Sequence, residues 1–256
     1  MGLVLTATGS NFEANNVGFI PPVEDGLVYW GFLNDSVERL TKNYAANGSP
    51  AAIMGSPTVD SKGAVLDGSN HIRTTVTQSH SLTIIAVGNP VADGQEIGMF
   101  VSNYSGGRPN GLSGTSFGVS LFCGFDDTNP GVYEVRANVA RFPGESGSGS
   151  GLNYVSLQNL NINKAAFLAM TFNGDEKIVR AWNLSTGASG QRPPIPDQVD
   201  VAVTPFYIGG TPNATWVNKP KNLHFVAMYD RDLSYDELQL IYERMTPYLI
   251  SRGVTF

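Results

Sequence analysis

The chain has 256 residues, and only 15% of them are charged, against about 25% in an average globular domain. The apolar fraction of 41% excludes a disordered chain, and the 29 glycines indicate many turns. The net charge is −6, and no run of lysine or arginine occurs, so we expect no binding to nucleic acid. No apolar run reaches about 18 residues, so we expect no membrane insertion.

The N-terminus and the single cysteine bear on where the chain is made. Met1–Thr8 has no basic residues and only a short apolar stretch, so it does not resemble a signal peptide. Cys123 cannot form an intramolecular disulfide and lies in the apolar run Phe117–Phe125, which predicts a buried thiol. Both observations favour synthesis in a reducing cytoplasm.

Residues 1–26 are polar and turn-rich, and we interpret them as an N-terminal arm or lead-in, with a disordered terminus as an equal alternative. The sequence pattern of residues 27–256 is typical of a single β-rich domain. Ser81–Gly88 is too apolar on both of its faces for either face to lie in solvent, which predicts a strand covered on both sides. The predicted strands are Leu27–Leu33, Ala51–Met54, Ala64–Asp67, Asn70–Val76, Ser81–Gly88, Glu96–Asn103, Ser116–Phe122, Val132–Ala140, Ala165–Phe172, Lys177–Trp182, Phe206–Gly209 and Lys221–Tyr229.

Turn residues separate these strands. Asn173-Gly174, between two strand patterns, predicts a hairpin with a type I′ turn, which requires positive φ at both positions. Gly144–Gly151 is rich in glycine and serine and predicts a flexible loop. Ser185–Val199 contains three prolines that cannot donate ladder hydrogen bonds, so we expect it to run outside the sheets.

One helix is predicted, over residues 234–250 at the end of the chain. Ser234 and Glu237 form a capping box, and Leu238, Ile241, Tyr242 and Met245 follow on one face. Pro247 predicts a kink, and we expect the apolar stripe to cross one edge of a β-sandwich, where it would protect an edge strand.

Three segments resemble the concanavalin A-like, laminin-G-like jelly-roll superfamily. Val65–Arg73 resembles the family's LDG turn, and Ser81–Val87 resembles the long central strand that follows it. Phe206–Gly210, followed by Leu223–Leu238, resembles the family's ending. The resemblance spans residues 27–245 and implies an all-β, two-sheet jelly-roll sandwich with one C-terminal α-helix.

Sequences with this ending are frequent in phage virion and prophage proteins and in bacterial surface proteins. The resemblance therefore implies a non-enzymatic virion protein that serves as a tail-associated, decoration or host-attachment module and recognises a carbohydrate. The implied partners are other virion proteins, further copies of this chain and a host-surface glycan. The implied location is the virion, after synthesis in the host cytoplasm, with the bacterial cytoplasm or cell surface as alternatives.

Catalytic residues are not expected. Glycan-cleaving members of the superfamily resemble one another in an E-x-D-x-E strand that places carboxylates on one sheet face, and this chain has no such spacing. Its three histidines, at positions 71, 80 and 224, carry no metal or triad signature. A free carbohydrate-binding lectin is the main alternative function, and a polysaccharide hydrolase or lyase is a weaker one.

Tyr104, Arg108 and Trp216 lie in loop-like segments and are the predicted sugar-binding residues, because sugars stack on aromatic rings and bond to planar polar groups. For Trp216, a core position or a subunit contact is favoured over stacking on a ligand. Trp30 and Trp182 lie inside strand patterns and are predicted to belong to the core.

No cofactor is required by this interpretation, and Ca²⁺ is the one candidate. Asp126, Asp127 and Asn129 place three oxygen-bearing side chains in one loop, which is the chemistry that calcium prefers. The alternative is a solvated turn, because Asp and Asn favour turns through local hydrogen bonds.

Overall fold

The computed structural model describes residues 20–91, 98–108, 114–125, 131–142, 151–196, 198–213 and 219–256. Within these ranges the chain forms eighteen strands and one α-helix. They are β1 (Leu27–Phe32), β2 (Ala52–Met54), β3 (Thr58–Val59), β4 (Ala64–Leu66), β5 (His71–Arg73), β6 (Leu82–Pro90), β7 (Gly98–Ser102), β8 (Gly106–Gly107), β9 (Thr115–Ser116), β10 (Val119–Phe125), β11 (Val132–Phe142), β12 (Gly151–Asn161), β13 (Ala166–Asn173), β14 (Ile178–Asn183), β15 (Ala188–Gln191), β16 (Gln198–Val199), β17 (Tyr207–Ile208), β18 (Lys221–Tyr229) and α1 (Tyr235–Ser251).

Sixteen of these strands form two antiparallel sheets that pack face to face. Sheet A has the order β15-β14-β13-β6-β18-β4-β3, with β1 also paired to β18. Sheet B has the order β12-β11-β10-β7-β17-β5-β2, with β16 paired to β11. The main apolar core lies between the sheets, so the predicted all-β jelly-roll sandwich with one C-terminal helix is confirmed.

Strand β6 is buried on both of its faces, as predicted. Leu82, Ile84 and Ala86 face the core between the sheets. Ile85 and Val87 belong to a second apolar cluster on the outer face of sheet A, and α1 covers that cluster. The expectation that the helix crosses a sandwich edge is therefore wrong. The outer faces of the central strands β1, β6, β13 and β18 are apolar, and covering them buries far more surface than an edge would offer.

The predicted helix and its capping box are confirmed. The Ser234 hydroxyl accepts a hydrogen bond from the Glu237 amide, and the Glu237 carboxylate accepts one from the Ser234 amide at 2.8 Å. The helix is continuous through Pro247 to Ser251, and the kink at Pro247 stays a prediction. It ends where Gly253, at φ +85°, lets the Val254 amide bond back to the Leu249 carbonyl.

We expect Glu237→Gln to lower the free energy of unfolding by about 1 kcal/mol at pH 7. Arg231 donates two hydrogen bonds to this carboxylate and lowers its pKa to about 2. Because the folded pKa lies below the unfolded one, the contribution is complete above about pH 4.5 and is lost as the pH falls towards 2. Urea unfolding at pH 7, 4.5 and 2.5 tests this, with the exposed Glu243→Gln as control. A difference that stays constant over this range would contradict it.

The predicted hairpin at Asn173-Gly174 forms between β13 and β14, but its turn is not type I′. Residues 174–177 connect the strands, and the positive φ lies at Lys177 (+56°). The Asn173 side chain accepts a hydrogen bond from the Glu176 amide at 2.8 Å and so builds a longer turn. Gly174 is required for space, because a Cβ there would lie 2.3 Å from the His80 carbonyl oxygen.

Five strands lie where none was predicted: β3, β8, β12, β15 and β16. The edge strand β12 was missed because its asparagines, at positions 153, 159 and 161, obscure the alternation of Val155 and Leu157. Ser185–Val199, predicted to lie outside the sheets, contributes β15 and ends with β16, and only its prolines lie between the strands. Of the predicted flexible loop, residues 144–150 lie outside the described ranges and Gly151 begins β12.

The described part of the predicted lead-in, residues 20–26, packs on the sandwich. Val23 is buried in the apolar cluster under α1, and its carbonyl accepts a hydrogen bond from the Tyr229 hydroxyl at 3.1 Å. The Gly26 carbonyl accepts one from the Asp230 amide. These contacts tie the chain to the end of β18 before β1 begins.

Candidate functional site

A cleft of about 420 Å³ opens at one end of the sandwich. It lies where the chain crosses from β5 of sheet B to β6 of sheet A, through residues 74–81. A short turn at Asn47-Gly48-Ser49 and the adjacent ends of β1 and β18 complete its lining. We refer to it as the end cleft.

Backbone hydrogen bonds fix the crossing segment against the chain before β17. The Thr74 amide and hydroxyl both donate to the Phe206 carbonyl, at 3.0 and 2.8 Å. The Phe206 amide donates to the Val76 carbonyl at 2.8 Å. The segment is therefore held rigidly as it leaves sheet B.

The opposite wall is held by the side chain of Asn43. Its amide donates to the Val28 carbonyl at 2.9 Å, and its oxygen accepts hydrogen bonds from the Trp30 and Ala45 amides at 3.0 Å. Asn47 adopts φ +60°, a left-handed turn that asparagine tolerates. This turn places Asn47 at the rim of the cleft.

The end cleft combines an apolar floor with an uncharged polar rim. Its apolar lining includes the core residues Leu82, Ile84, Phe206 and Met228, which are almost fully buried. Among its lining residues, Asp230 is the one carboxylate. The polar rim residues are Asn47, Ser49, Thr75, Thr77, Gln78 and Ser79. Such a lining suits a neutral ligand with both hydroxyl groups and an apolar face.

Gln78 carries an unused hydrogen-bond donor at this cleft. Its Oε1 accepts a hydrogen bond from the Ala202 amide at 3.1 Å, which fixes the side chain. Its Nε2 is buried and has no hydrogen-bond partner among the residues that the structure describes. A buried donor without a partner costs about 1 to 3 kcal/mol and is rare in native proteins. Rotation of the Gln78 side chain into the cleft would bring this donor to a ligand acceptor.

Arg108, one of the predicted sugar-binding residues, forms an internal ion pair with Asp200. Its Nε and Nη2 donate to the Asp200 carboxylate at 3.0 and 2.9 Å, and its guanidinium lies over the Phe142 ring at 5.1 Å. Its side chain is only 11% exposed. The pair holds the segment that leads to Ala202 and Phe206, so Arg108 supports the end cleft from behind.

Tyr104, also a predicted sugar-binding residue, is half-buried and stacks on Phe117. The ring centroids are 5.1 Å apart and the planes differ by 8°. The Tyr104 carbonyl accepts a hydrogen bond from the Thr211 hydroxyl at 2.9 Å. One ring face of Tyr104 is therefore occupied by protein, and its role in sugar binding stays a prediction.

The remaining predicted site residues lie outside the described ranges: Trp216, Asp126, Asp127 and Asn129. Within the described ranges, no three His, Cys, Asp or Glu side chains are grouped as metal ligands, and no helix is long and apolar enough to cross a membrane. His71 and His224 bond to the carbonyls of Gly68 and Lys62, as expected of ordinary strand histidines.

Sequence reasoning missed Thr75, Thr77 and Gln78, because it looked for aromatic rings and charged groups. The signal that was present is the uncharged polar run Thr74–Ser81 between two strands, interrupted by Val76. Such a run is also typical of an ordinary connection, so the sequence alone did not distinguish the two.

No protein-family model and no curated protein sequence matches this chain. Solved structures do resemble it. A Trypanosoma rangeli sialidase mutant with trans-sialidase activity matches with a TM-score of 0.59 and 12% identity, over 86% of this chain and 33% of the other. The botulinum neurotoxin serotype D binding domain matches with a TM-score of 0.60 and 10% identity, over 87% and 52%.

The serotype D ligand-binding domain in complex with N-acetylneuraminic acid matches equally well, with a TM-score of 0.60 and 9% identity, over 87% and 52%. This chain thus spans between a third and about half of these proteins. At such low identity the likeness concerns the fold alone. It supports the conclusion that this chain is a jelly-roll β-sandwich.

Proposed function

We propose that this chain is a carbohydrate-binding module without catalytic activity and that the end cleft is its glycan site. The observation that carries the proposal is the lining of the end cleft, in which neutral hydroxyl and amide donors surround an apolar floor. A sugar presents hydroxyl acceptors to such a donor and C–H faces to such a floor. The similar folds that bind N-acetylneuraminic acid or gangliosides add support.

The lining of the end cleft favours binding over cleavage. Glycosidases use two carboxyl groups on either side of the scissile bond, about 5 to 9.5 Å apart. Among the lining residues that the structure describes, Asp230 supplies a single carboxylate. Incubation with a bound polysaccharide should therefore release no fragments, and release of fragments would favour the hydrolase or lyase alternative.

The biological setting that we propose is a virion, as a tail-associated, decoration or host-attachment module that recognises a host-surface glycan, with further copies of the chain as partners. Support comes from the C-terminal ending, Phe206–Gly210 with Leu223–Leu238, and from the weakly charged surface. Fractionation of particles from the source tests this setting. A chain found wholly soluble and monomeric would contradict it and would favour a free lectin.

Filling the end cleft should abolish glycan binding. We expect Thr77→Trp to remove all signal on an array of neutral and sialylated glycans. We expect Gln78→Glu, which keeps an acceptor for the Ala202 amide but loses the donor, to weaken binding about tenfold. Calorimetry with the strongest array ligand measures both effects.

Thr115→Trp is the matched control, because Thr115 is exposed and does not line the cleft. Equal binding by the chain and Thr77→Trp would refute the assignment of the site. A second titration with EDTA tests the calcium prediction for Asp126, Asp127 and Asn129. Loss of binding on chelation, restored by Ca²⁺, is the result expected if that loop holds the ion.

A further inference from the structure

A second polar concavity, of about 330 Å³, lies on the outer face of sheet A. It is built on four adjacent strands, β3, β4, β18 and β6, beyond the area that α1 covers. One cross-strand row crosses its floor, in the order Thr58, Val65, Asn222 and Asn89. We call this concavity the asparagine groove.

The row is a polar interruption of an otherwise apolar face. Further along the same face, β18 presents Phe225 and Ala227 to the helix, and β6 presents Ile85 and Val87. Asparagine is depleted in strands, yet Asn222 and Asn89 are direct neighbours on the two central strands of the sheet. The segment after α1 forms one wall, held by a 2.8 Å hydrogen bond from the Ala165 amide to the Thr255 carbonyl.

Asn222 is half-buried, and among the described residues its side-chain amide makes no hydrogen bond. Asn89 is different, because its Nδ2 donates to the carbonyls of Pro90 and Ile162 at 3.0 and 2.9 Å. Those bonds fix the Asn89 side chain and leave its Oδ1 as an acceptor. The floor thus offers the side-chain amide of Asn222, as donor and acceptor, and the fixed Oδ1 of Asn89, as acceptor.

His224 lines the groove as a neutral acceptor. Its Nδ1 lies 3.0 Å from the Lys62 carbonyl oxygen, which can only accept, so Nδ1 carries the proton and Nε2 of the neutral ring has a lone pair. Burial lowers the pKa of His224, which favours this neutral form at pH 7. At the rim, Asp60 is held ionised by the amides of Lys62 and Gly63, and its charge is opposite to that of the Lys62 ammonium.

We propose that the asparagine groove is a second binding site, separate from the end cleft, for an uncharged polyhydroxylated ligand of the carbohydrate class. Each sugar hydroxyl both donates and accepts, and the groove offers donors and acceptors within one concavity. Its one carboxylate and one ammonium cancel in charge, so it has no preference for an ion. The proposal does not depend on the end cleft, because no residue lines both concavities.

The test is titration of ¹⁵N-labelled chain with maltotriose, cellotriose and N-acetylchitotriose, followed by the side-chain amide signals of Asn222 and Asn89. We expect saturable shifts with at least one of the three at millimolar concentration. Asn222→Val should weaken that binding at least tenfold while the urea midpoint stays equal or rises, because the amide has no protein partner to lose. Asn163→Trp, an exposed substitution in the lining, should block the same ligand.

The outcomes separate this proposal from the previous one. Thr77→Trp fills the end cleft and should leave the Asn222 shifts unchanged. Asn89 shifts that are lost in Thr77→Trp but kept in Asn222→Val would place the ligand in the end cleft and overturn the asparagine groove. No saturable shift with any of the three sugars, or a lower urea midpoint for Asn222→Val, would also overturn it, since the amide would then serve the fold.

Discussion

Gly209→Ala is expected to lower the free energy of unfolding by about 2 to 5 kcal/mol, the largest loss that we predict for a single methyl group. Gly209 follows β17 at φ +78°, where an L side chain is strained. A Cβ there would lie 2.3 Å from Cβ of the fully buried Leu66, at the end of β4. Neither atom can move, because both belong to backbone-fixed positions between the two sheets.

Substitutions at two further glycines distinguish backbone strain from lack of space for a side chain. Gly187 has φ +76° but nothing within 4 Å of its Cβ position, so Gly187→Ala should cost only about 1 kcal/mol. Gly88 has no positive φ, but a Cβ there would lie 2.2 Å from the Asn222 carbonyl oxygen. We expect Gly88→Ala to fall between the other two, measured by urea unfolding. A loss for Gly209→Ala as small as that for Gly187→Ala would contradict the contact with Leu66.

This contact joins two segments that are distant in the chain and that both carry the sequence resemblance. Gly210, the next residue, would place a Cβ 2.6 Å from Cγ of His71. Val65–Arg73 and Phe206–Gly210 therefore pack against each other, and the glycines are required by the side chains of the other segment. Two segments that carry the resemblance thus meet in the structure, and the jelly-roll fold that the resemblance implied is confirmed.

Hydrophobic pattern predicted the central strands well because burial on both faces leaves a strong signal, as in β6. It failed for β12 and β15, which lie at sheet edges and carry asparagine, serine and glycine. Edge strands are specified by the partner they pair with, and the sequence does not reveal that partner. The position of α1 was missed because the apolar stripe of the helix does not show which face of which sheet it covers.

The candidate sites were less predictable than the fold. The end cleft combines residues from five separated stretches, 27–28, 46–49, 75–84, 206 and 228–230, and no ligand-binding motif marks them. The asparagine groove depends on strand register, which places Asn222 beside Asn89 although 133 positions separate them in the chain. The sequence-based prediction of sites relied on aromatic and charged residues. Arg108 shows that such a residue can instead stabilise the fold, through its ion pair with Asp200.

Lys221→Met is expected to remove a rise in the free energy of unfolding that the unmodified chain shows between pH 7 and about 10.5. Lys221 opens β18 and is fully buried. Burial lowers the pKa of its ammonium to about 7, although the nearby Cys123 and Asp67 act in the opposite direction. The unfolded chain holds this proton at a pKa near 10.5, so folding has to release it or bury the charge.

The pH dependence distinguishes this effect from better packing by methionine. Between pH 7 and about 10.5 the unfolded chain binds more protons than the folded chain, so the stability of the unmodified protein rises with pH. The free energy of unfolding of the unmodified chain should therefore rise relative to that of Lys221→Met as the pH increases from 7 to 10. The buried Cys123, whose pKa is raised to about 11, stays protonated over most of this range. Urea unfolding at pH 6, 7.5 and 9, with the exposed Lys164→Met as control, gives the comparison. A difference between the two chains that does not change with pH would show that packing or lost contacts, and not the proton, are responsible.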